Sequence, residues 1–190
     1  NERPNVLHTR PYWPWDDFLT RNFHTNFELS KEGEEIGLFK AEQADSLTFI
    51  LKGDSWKYYD FGIYPGGNWM YLNFDDSDWR EGEAAIGFGE GFLNTNLTDM
   101  RGNYSTVYFR KTFNIDNPSQ VGSVLLSAQI DDGFNAWING KHVASTNVSG
   151  PELSYDATAE RSGENKDFED YPIANVAGLI VEGKNVLTVQ

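Results

Sequence analysis

Alternating apolar and polar side chains characterise the stretch Tyr108-Phe109-Arg110-Lys111-Thr112-Phe113-Asn114-Ile115. A period of two residues is typical of a β-strand with one buried face and one solvated face. On both sides of this stretch, short apolar runs of four to eight residues end at Gly, Asn, Asp or Ser, and little sustained helical periodicity occurs. The sequence therefore predicts an all-β protein.

Eight candidate strands follow residue 54, and this number suits a two-sheet antiparallel jelly roll. The dipeptide Asn139-Gly140 predicts a tight hairpin, because both residues tolerate positive φ. Residues 150–167 are polar and contain glycine, which predicts a long exposed loop. The predicted strands are Trp56–Phe61, Ala84–Phe88, Thr106–Ile115, Ser123–Ile130, Asn135–Ile138, His142–Ser145, Phe168–Ile173 and Val186–Gln190.

The first 53 residues contain three further candidate strands, Phe23–Leu29, Glu35–Phe39 and Ser46–Leu51. A three-stranded sheet is only marginally stable alone, so it either packs on the following module or belongs to a larger domain. We favour the second interpretation. The predicted organisation is a small N-terminal β segment over residues 1–53 and a jelly-roll domain over residues 54–190.

Charge and composition exclude several classes of function. The chain has 15 Lys and Arg against 29 Asp and Glu, a net charge of -14, so nucleic acid is a poor partner. It contains no cysteine, which excludes disulfides, thiolate metal sites and cysteine nucleophiles. Its apolar runs are far shorter than the roughly 20 residues that a membrane span needs. The sequence therefore predicts no membrane span.

Four motifs follow one another in the second part of the chain. They are Phe74-Asp75-Asp76-Ser77-Asp78-Trp79, Ala85-Ile86-Gly87-Phe88-Gly89-Glu90-Gly91, Tyr108-Phe109-Arg110-Lys111-Thr112-Phe113 and Asp131-Asp132-Gly133-Phe134-Asn135-Ala136-Trp137-Ile138-Asn139-Gly140. In this order they resemble the signatures of galactose-binding-domain-like jelly rolls. The layout is similar to the sugar-binding domain of glycoside hydrolase family 2 and to accessory modules of large bacterial secreted proteins. The resemblance covers residues 55–190 and implies the fold, whereas this superfold carries sugar-binding, protein-binding and structural roles.

Three stretches of the N-terminal segment form a further pattern, Phe23-His24-Thr25-Asn26-Phe27-Glu28-Leu29-Ser30, Gly33-Glu34-Glu35-Ile36-Gly37-Leu38-Phe39 and Asp45-Ser46-Leu47-Thr48-Phe49. Together they resemble the C-terminal half of a bacterial lamin-tail domain. This resemblance implies an immunoglobulin-like sandwich of which only part is present.

No local motif provides a catalytic nucleophile with an adjacent base. The three histidines are His8, His24 and His142, and neither G-x-S-x-G nor H-E-x-x-H occurs. A pair of glycosidase carboxylates depends on a distance that the sequence does not fix. We therefore expect a non-catalytic chain.

Aromatic residues in turn-rich segments are the candidates for ligand binding. Sugars stack on aromatic faces, while amide and charged groups bind their hydroxyls. Tyr64 and Trp69 flank a Pro-Gly-Gly-Asn turn, and Tyr104 follows an Asn-rich loop. For each of the three, packing in the core is an equally good interpretation. Trp56, Trp79 and Trp137 lie within strand or core motifs and are expected in the core.

Asp131 and Asp132 precede Gly133, and paired carboxylates before a glycine turn can bind calcium. The alternative is a polar turn before a strand. Calcium is thus a candidate cofactor.

Together with these patterns, the resemblance to jelly-roll accessory modules implies a secreted or cell-surface bacterial module that binds carbohydrate for a larger parent protein. The partners expected are a glycan and other domains of that parent. A structural spacer or protein-docking sandwich is the first alternative. The non-catalytic front of a glycoside hydrolase is the second.

Overall fold

The computed structural model of the chain describes residues 36–40, 47–151, 153–162 and 167–190. Their strands are β1 Ile36–Lys40, β2 Thr48–Ile50, β3 Ser55–Tyr59, β4 Arg80–Glu83, β5 Ile86–Gly87, β6 Thr95–Asn96, β7 Tyr108–Ile115, β8 Ser123–Ala128, β9 Phe134–Ile138, β10 Lys141–Thr146, β11 Glu169–Ala174 and β12 Gly183–Val189. Within these ranges the helical element is a single 3₁₀ turn, Pro118–Gln120. No helix among them is long and apolar enough to cross a membrane.

The strands form two main antiparallel sheets. One has six strands in the order β10-β9-β12-β7-β3-β4, and the other has four in the order β11-β8-β1-β2. A short parallel pair, β5 and β6, lies beside them. Large apolar side chains of both sheets fill the core, among them Leu38, Leu126, Phe113 and Leu187. The predicted antiparallel β-sandwich is confirmed.

The strand β7 differs from its prediction in one respect, because it buries side chains on both of its faces. Phe113 and Ile115 point into the core between the sheets. Tyr108 and Arg110 lie on the opposite face of the strand, because side chains alternate between the two faces. They are 1% and 2% exposed. The outer face of the six-stranded sheet is therefore also covered at this end of β7.

The cover on that outer face is the segment between β3 and β4. It contributes Trp69 and Trp79, which pack with Tyr108 and Trp137 in a cluster that we call the aromatic cluster. Trp79 is 5% exposed, so its predicted place in the core is confirmed. Trp56 and Trp137 are likewise buried, as predicted.

Arg110 fixes this segment to the sheet. Its Nε donates to Asp76 Oδ2 at 2.7 Å, and its Nη1 donates to the carbonyls of Trp69 and Tyr71. The guanidinium also lies over the rings of Phe74 and Trp79, at 5.2 and 5.9 Å from their centroids. The acidic turn after Phe74 thus serves to pair a buried arginine.

The described part of the N-terminal segment pairs with the sandwich. β1 pairs with β2 and also with β8, through Ile36–Lys40 against Val124–Ala128. The candidate strand Phe23–Leu29 lies outside the described residues. The division into residues 1–53 and 54–190, and the lamin-tail resemblance, stay predictions.

Two strands were not predicted from the sequence, the two-residue β6 and the edge strand β4. β4 has the sequence Arg-Glu-Gly-Glu, which lacks the apolar residues of a buried strand. It lies at the edge of the six-stranded sheet and pairs with β3. Charged residues are suited to an edge strand because they disfavour pairing with another chain.

Candidate functional site

The three aromatic residues predicted to bind a ligand have different environments. Tyr64 is 46% exposed, as its turn-rich segment predicts. Trp69 is 2% exposed, with its ring centroid 5.0 Å from that of Tyr108 and 5.3 Å from that of Trp137. Of the two interpretations of Trp69, exposure is wrong and packing in the core is confirmed, because the indole fills the space over the six-stranded sheet. Tyr104 is partly buried.

Tyr104 lines an open groove at the end of the sandwich where β7 begins. The groove has a volume of about 390 Å³ and is bordered by loops that are distant in sequence. That volume is within the usual range for small-molecule sites, roughly 300–1,000 Å³. We call it the tyrosine groove, and its lining residues are Gly62, Gly102, Asn103, Tyr104, Ser105, Tyr155 and Asp156.

Hydrogen bonds from the beginning of β7 hold the loop that carries Tyr155 and Asp156. The hydroxyls of Ser105 and Thr106 both donate to the carbonyl of Ala157, each at 3.2 Å. At the end of β12, Gln190 Nε2 donates to the carbonyls of Leu153 and Ser154, each at 3.4 Å. These bonds fix the loop against the sandwich and define one wall of the groove.

The opposite wall depends on a close approach of two loops. A Cβ atom at Gly62 would lie 3.3 Å from Cβ of Tyr104 and 3.5 Å from the carbonyl oxygen of Asn103. Gly62 also has a φ of +66°, which residues with side chains rarely adopt. Glycine at this position lets the segment after β3 reach the loop before β7.

A network of ionic groups positions the ring of Tyr104. Its hydroxyl donates to Asp99 Oδ1 at 2.9 Å and approaches Asp60 Oδ2 at 3.5 Å. Arg80 Nη1 lies 2.7 Å from Asp60 Oδ2 and 3.9 Å from Asp99 Oδ2. Burial, together with the hydrogen bond to Asp99, raises the pKa of the Tyr104 hydroxyl. The phenol therefore stays protonated and able to donate at neutral pH.

Asp60 lies beneath the groove, and its side chain is fully buried. Burial raises the pKa of this carboxyl, while the charge of Arg80 opposes that rise. Its second oxygen, Oδ1, makes no hydrogen bond with the described residues. Asp60 is thus a buried support for Arg80 and Tyr104.

Asp131 and Asp132 lie in the exposed turn between β8 and β9. Asp132 borders a second cavity of about 530 Å³, which Glu160, Arg161 and Glu169 also line. In the described part of the chain, no group of three or more acidic or histidine side chains is placed to hold a metal ion. The calcium site at Asp131 and Asp132 stays a prediction.

Gly133 has a structural role in this turn. A Cβ at that position would lie 2.9 Å from the carbonyl oxygens of both Thr146 and Asn147. The side chain of Asn147 donates to the carbonyls of Asp132 and Arg161 and accepts from the backbone N–H of Arg161. Glycine at this position therefore lets the turn before β9 contact the loop after β10. That loop also carries Tyr155.

Three groove residues were not predicted from the sequence: Asn103, Tyr155 and Asp156. Tyr155 is 41% exposed and is an aromatic residue within a predicted polar loop. An aromatic residue within a polar loop was the signal available from the sequence. The groove itself was not predictable, because Gly62, Asn103 and Tyr155 approach one another only through the packing of three loops.

Comparisons with known proteins give structural neighbours. No protein-family model and no curated protein matches the chain. Among solved structures, it is similar to a β-glycosidase from Bacteroides vulgatus, with 17% identity and a TM-score of 0.43, over 72% of this chain and 16% of that chain. It is also similar to a β-glucuronidase from an uncultured Clostridium species, with 16% identity and a TM-score of 0.45, over 87% of this chain and 23% of that chain. The chain spans less than a quarter of the length of either glycosidase.

Proposed function

We propose that this chain is a non-catalytic accessory module of a larger secreted protein and binds carbohydrate in the tyrosine groove. The observation that carries the proposal is the presence of two tyrosines, Tyr104 and Tyr155, on the borders of one open groove with Asn103 and Asp156. Aromatic faces match the C–H surfaces of sugars, and amide and carboxylate groups bind their hydroxyls.

The position of the carboxylates supports a binding role over a catalytic one. Glycosidases use two carboxylates that flank the scissile bond, roughly 5–9.5 Å apart. Of the two carboxylates bonded to Tyr104, Asp99 is 55% exposed, whereas the side chain of Asp60 is fully buried. Asp60 therefore has no path to a substrate and does not form such a pair with Asp99.

The test is a glycan-array screen of the whole chain, followed by measured affinities for two tyrosine variants. We expect specific binding of an oligosaccharide, and Tyr155→Ala should weaken it about tenfold or more, the loss typical of an aromatic anchor. Tyr71→Ala is the matched control, because Tyr71 is 46% exposed and lies on Gly140 in the β9–β10 hairpin. Equal affinities of both variants and the unmodified chain would contradict the assignment of the groove.

We also propose that Asp131 and Asp132 bind calcium. The same array, repeated with calcium and with a chelator, tests this proposal. The support is the pair of exposed carboxylates in one turn, since calcium prefers such hard oxygen ligands. A melting temperature raised by calcium in the unmodified chain, and not in Asp131→Asn, is the expected result. An identical melting temperature in calcium and in chelator would contradict the site.

Protein docking is the second candidate function, and a specific surface supports it. Phe61, Ile63 and Tyr64 are 48%, 55% and 46% exposed within one short loop. Apolar side chains grouped in this way are typical of interaction surfaces. An array without any bound glycan would favour this docking role over the carbohydrate role.

A further inference from the structure

Two exposed carboxylates lie in or next to the tyrosine groove. Asp156 lies in the wall of the groove, and Asp99 accepts the hydrogen bond of Tyr104 within the same cluster. Asp99 is 55% exposed, and Asp156 is exposed as well. Any ligand in the groove therefore meets the solvent-exposed carboxylate of Asp156, and Asp99 lies one hydrogen bond beyond Tyr104.

Two arginines near Asp99, Arg80 and Arg101, each interact with another group. Arg80 is 2.7 Å from the buried Asp60 and 3.9 Å from Asp99, so two carboxylates share its charge. Arg101 precedes the groove residue Gly102, and its guanidinium lies 5.8 Å from the ring centroid of Phe88. None of the seven residues that line the groove is Lys or Arg.

The charge of the whole chain acts in the same direction. With a formal net charge of -14, the protein repels anions at long range and slows their approach. A carboxylate or sulfate group on a sugar would then meet both this general field and the local charge of Asp156. Like charges brought together in this way oppose binding, and the effect weakens as salt increases.

From this geometry we infer that the groove selects uncharged saccharides and rejects uronate and sulfated glycans. The inference rests on the proposed carbohydrate-binding function and adds the chemical class of the ligand. Asp156 contributes in two ways, because its carboxylate accepts hydrogen bonds from sugar hydroxyls and repels anionic substituents.

The experiment uses pairs of oligosaccharides that share one backbone. Each neutral oligosaccharide of the array is compared with its C6-carboxylate and its sulfated counterparts, at low and at physiological salt. The neutral member should bind about tenfold tighter or more at low salt, and added salt should reduce the ratio. Anionic members that bind as tightly as neutral ones would overturn the inference and leave the proposed function standing. No binding of any glycan would overturn both.

Variants assign the selectivity to Asp156. Asp156→Asn keeps a hydrogen-bond acceptor and removes the charge, so it should reduce the preference for neutral ligands, and Asp156→Lys should reduce it further. Asp116→Lys is the matched control for Asp156→Lys, because both variants change the net charge by the same amount. Asp116 lies at the other end of β7, about 25 Å from the groove by strand length. An unchanged ratio of neutral to anionic affinity in Asp156→Asn would overturn the role of Asp156. So would a change of this ratio in Asp116→Lys as large as that in Asp156→Lys.

Discussion

The aromatic cluster and the tyrosine groove are built from similar residues and differ in their access to water. In the cluster, Trp69 and Tyr108 pack around the outer face of the six-stranded sheet, and Arg110 beneath them is 2% exposed. In the groove, Tyr155 is 41% exposed beside Asp156. Both regions combine aromatic rings with ion pairs, yet only the groove presents its rings to solvent.

This difference teaches which aromatic residues to associate with function. The tryptophans are the most noticeable residues of the sequence motifs, and the structure uses them to attach the segment between β3 and β4 to the sheet. The groove residues occur in polar loops without any motif. Stability should therefore depend on the cluster, and ligand affinity should depend on the groove.

The largest expected effect is the loss of stability in Trp69→Ala. Removing a fully buried tryptophan leaves a cavity, so we expect a loss of about 3–5 kcal/mol in the free energy of unfolding. Tyr155→Ala, at an exposed position, should cost less than about 1 kcal/mol. Urea denaturation measures both values. Similar losses in the two variants would remove the distinction between cluster and groove.

The next effect concerns the anchor of the loop that carries Tyr155. Gly133→Ala places a methyl group 2.9 Å from two backbone carbonyl oxygens, so we expect a loss of about 1–3 kcal/mol. Gly91→Ala is the control, since a Cβ there has nothing within 4 Å. The same urea experiment applies. A Gly133→Ala protein as stable as the Gly91→Ala protein would show that this contact does not support the loop.

The smallest effect is a pH dependence from the buried carboxyl under the groove. Burial raises the pKa of Asp60 above 3.8, so this group favours the folded state most at low pH and loses that contribution as pH rises through its folded pKa. The stability of the unmodified chain relative to Asp60→Asn should therefore fall as pH is raised from about 4 toward 7.

Asp75 provides a control of opposite sign for the Asp60 experiment. Hydrogen bonds from Ser77 lower the pKa of Asp75, so its contribution is present at neutral pH and is lost as pH falls. Stability relative to Asp75→Asn should therefore stay nearly constant between pH 4 and 7 and fall only below about pH 4. Parallel curves for the two variants, measured by urea denaturation from pH 4 to 7, would contradict the assignment of a buried, desolvated Asp60.

The sequence predicted the sandwich because strand periodicity and turn residues are local signals. The runs around β7, β8 and the Asn139-Gly140 hairpin all correspond to strands or turns of the structure. Local signals did not predict β4, since an edge strand with four polar or glycine residues has no apolar period. Nor did they show that β7 is buried on both faces, which depends on a cover contributed by the segment before β4.

The site was less predictable, for a physical reason. Tyr104 was among the candidates, and Tyr64 has the expected exposure, but the turn-rich surroundings of Trp69 left both a surface and a core position open. A turn determines the backbone locally and leaves open which side chain packs beneath it. The pairing of Tyr104 with Tyr155 depends on bonds between residues about 50 positions apart, such as Ser105 to Ala157.

The most direct test of the central claim is an NMR titration of the ¹⁵N-labelled chain with the tightest-binding oligosaccharide of the array. We predict the largest shift changes at Gly62, residues 102–105 and residues 155–156, with the indole N–H signals of Trp69, Trp79 and Trp137 nearly unmoved. Large changes at those indoles without changes in the groove loops would contradict the account.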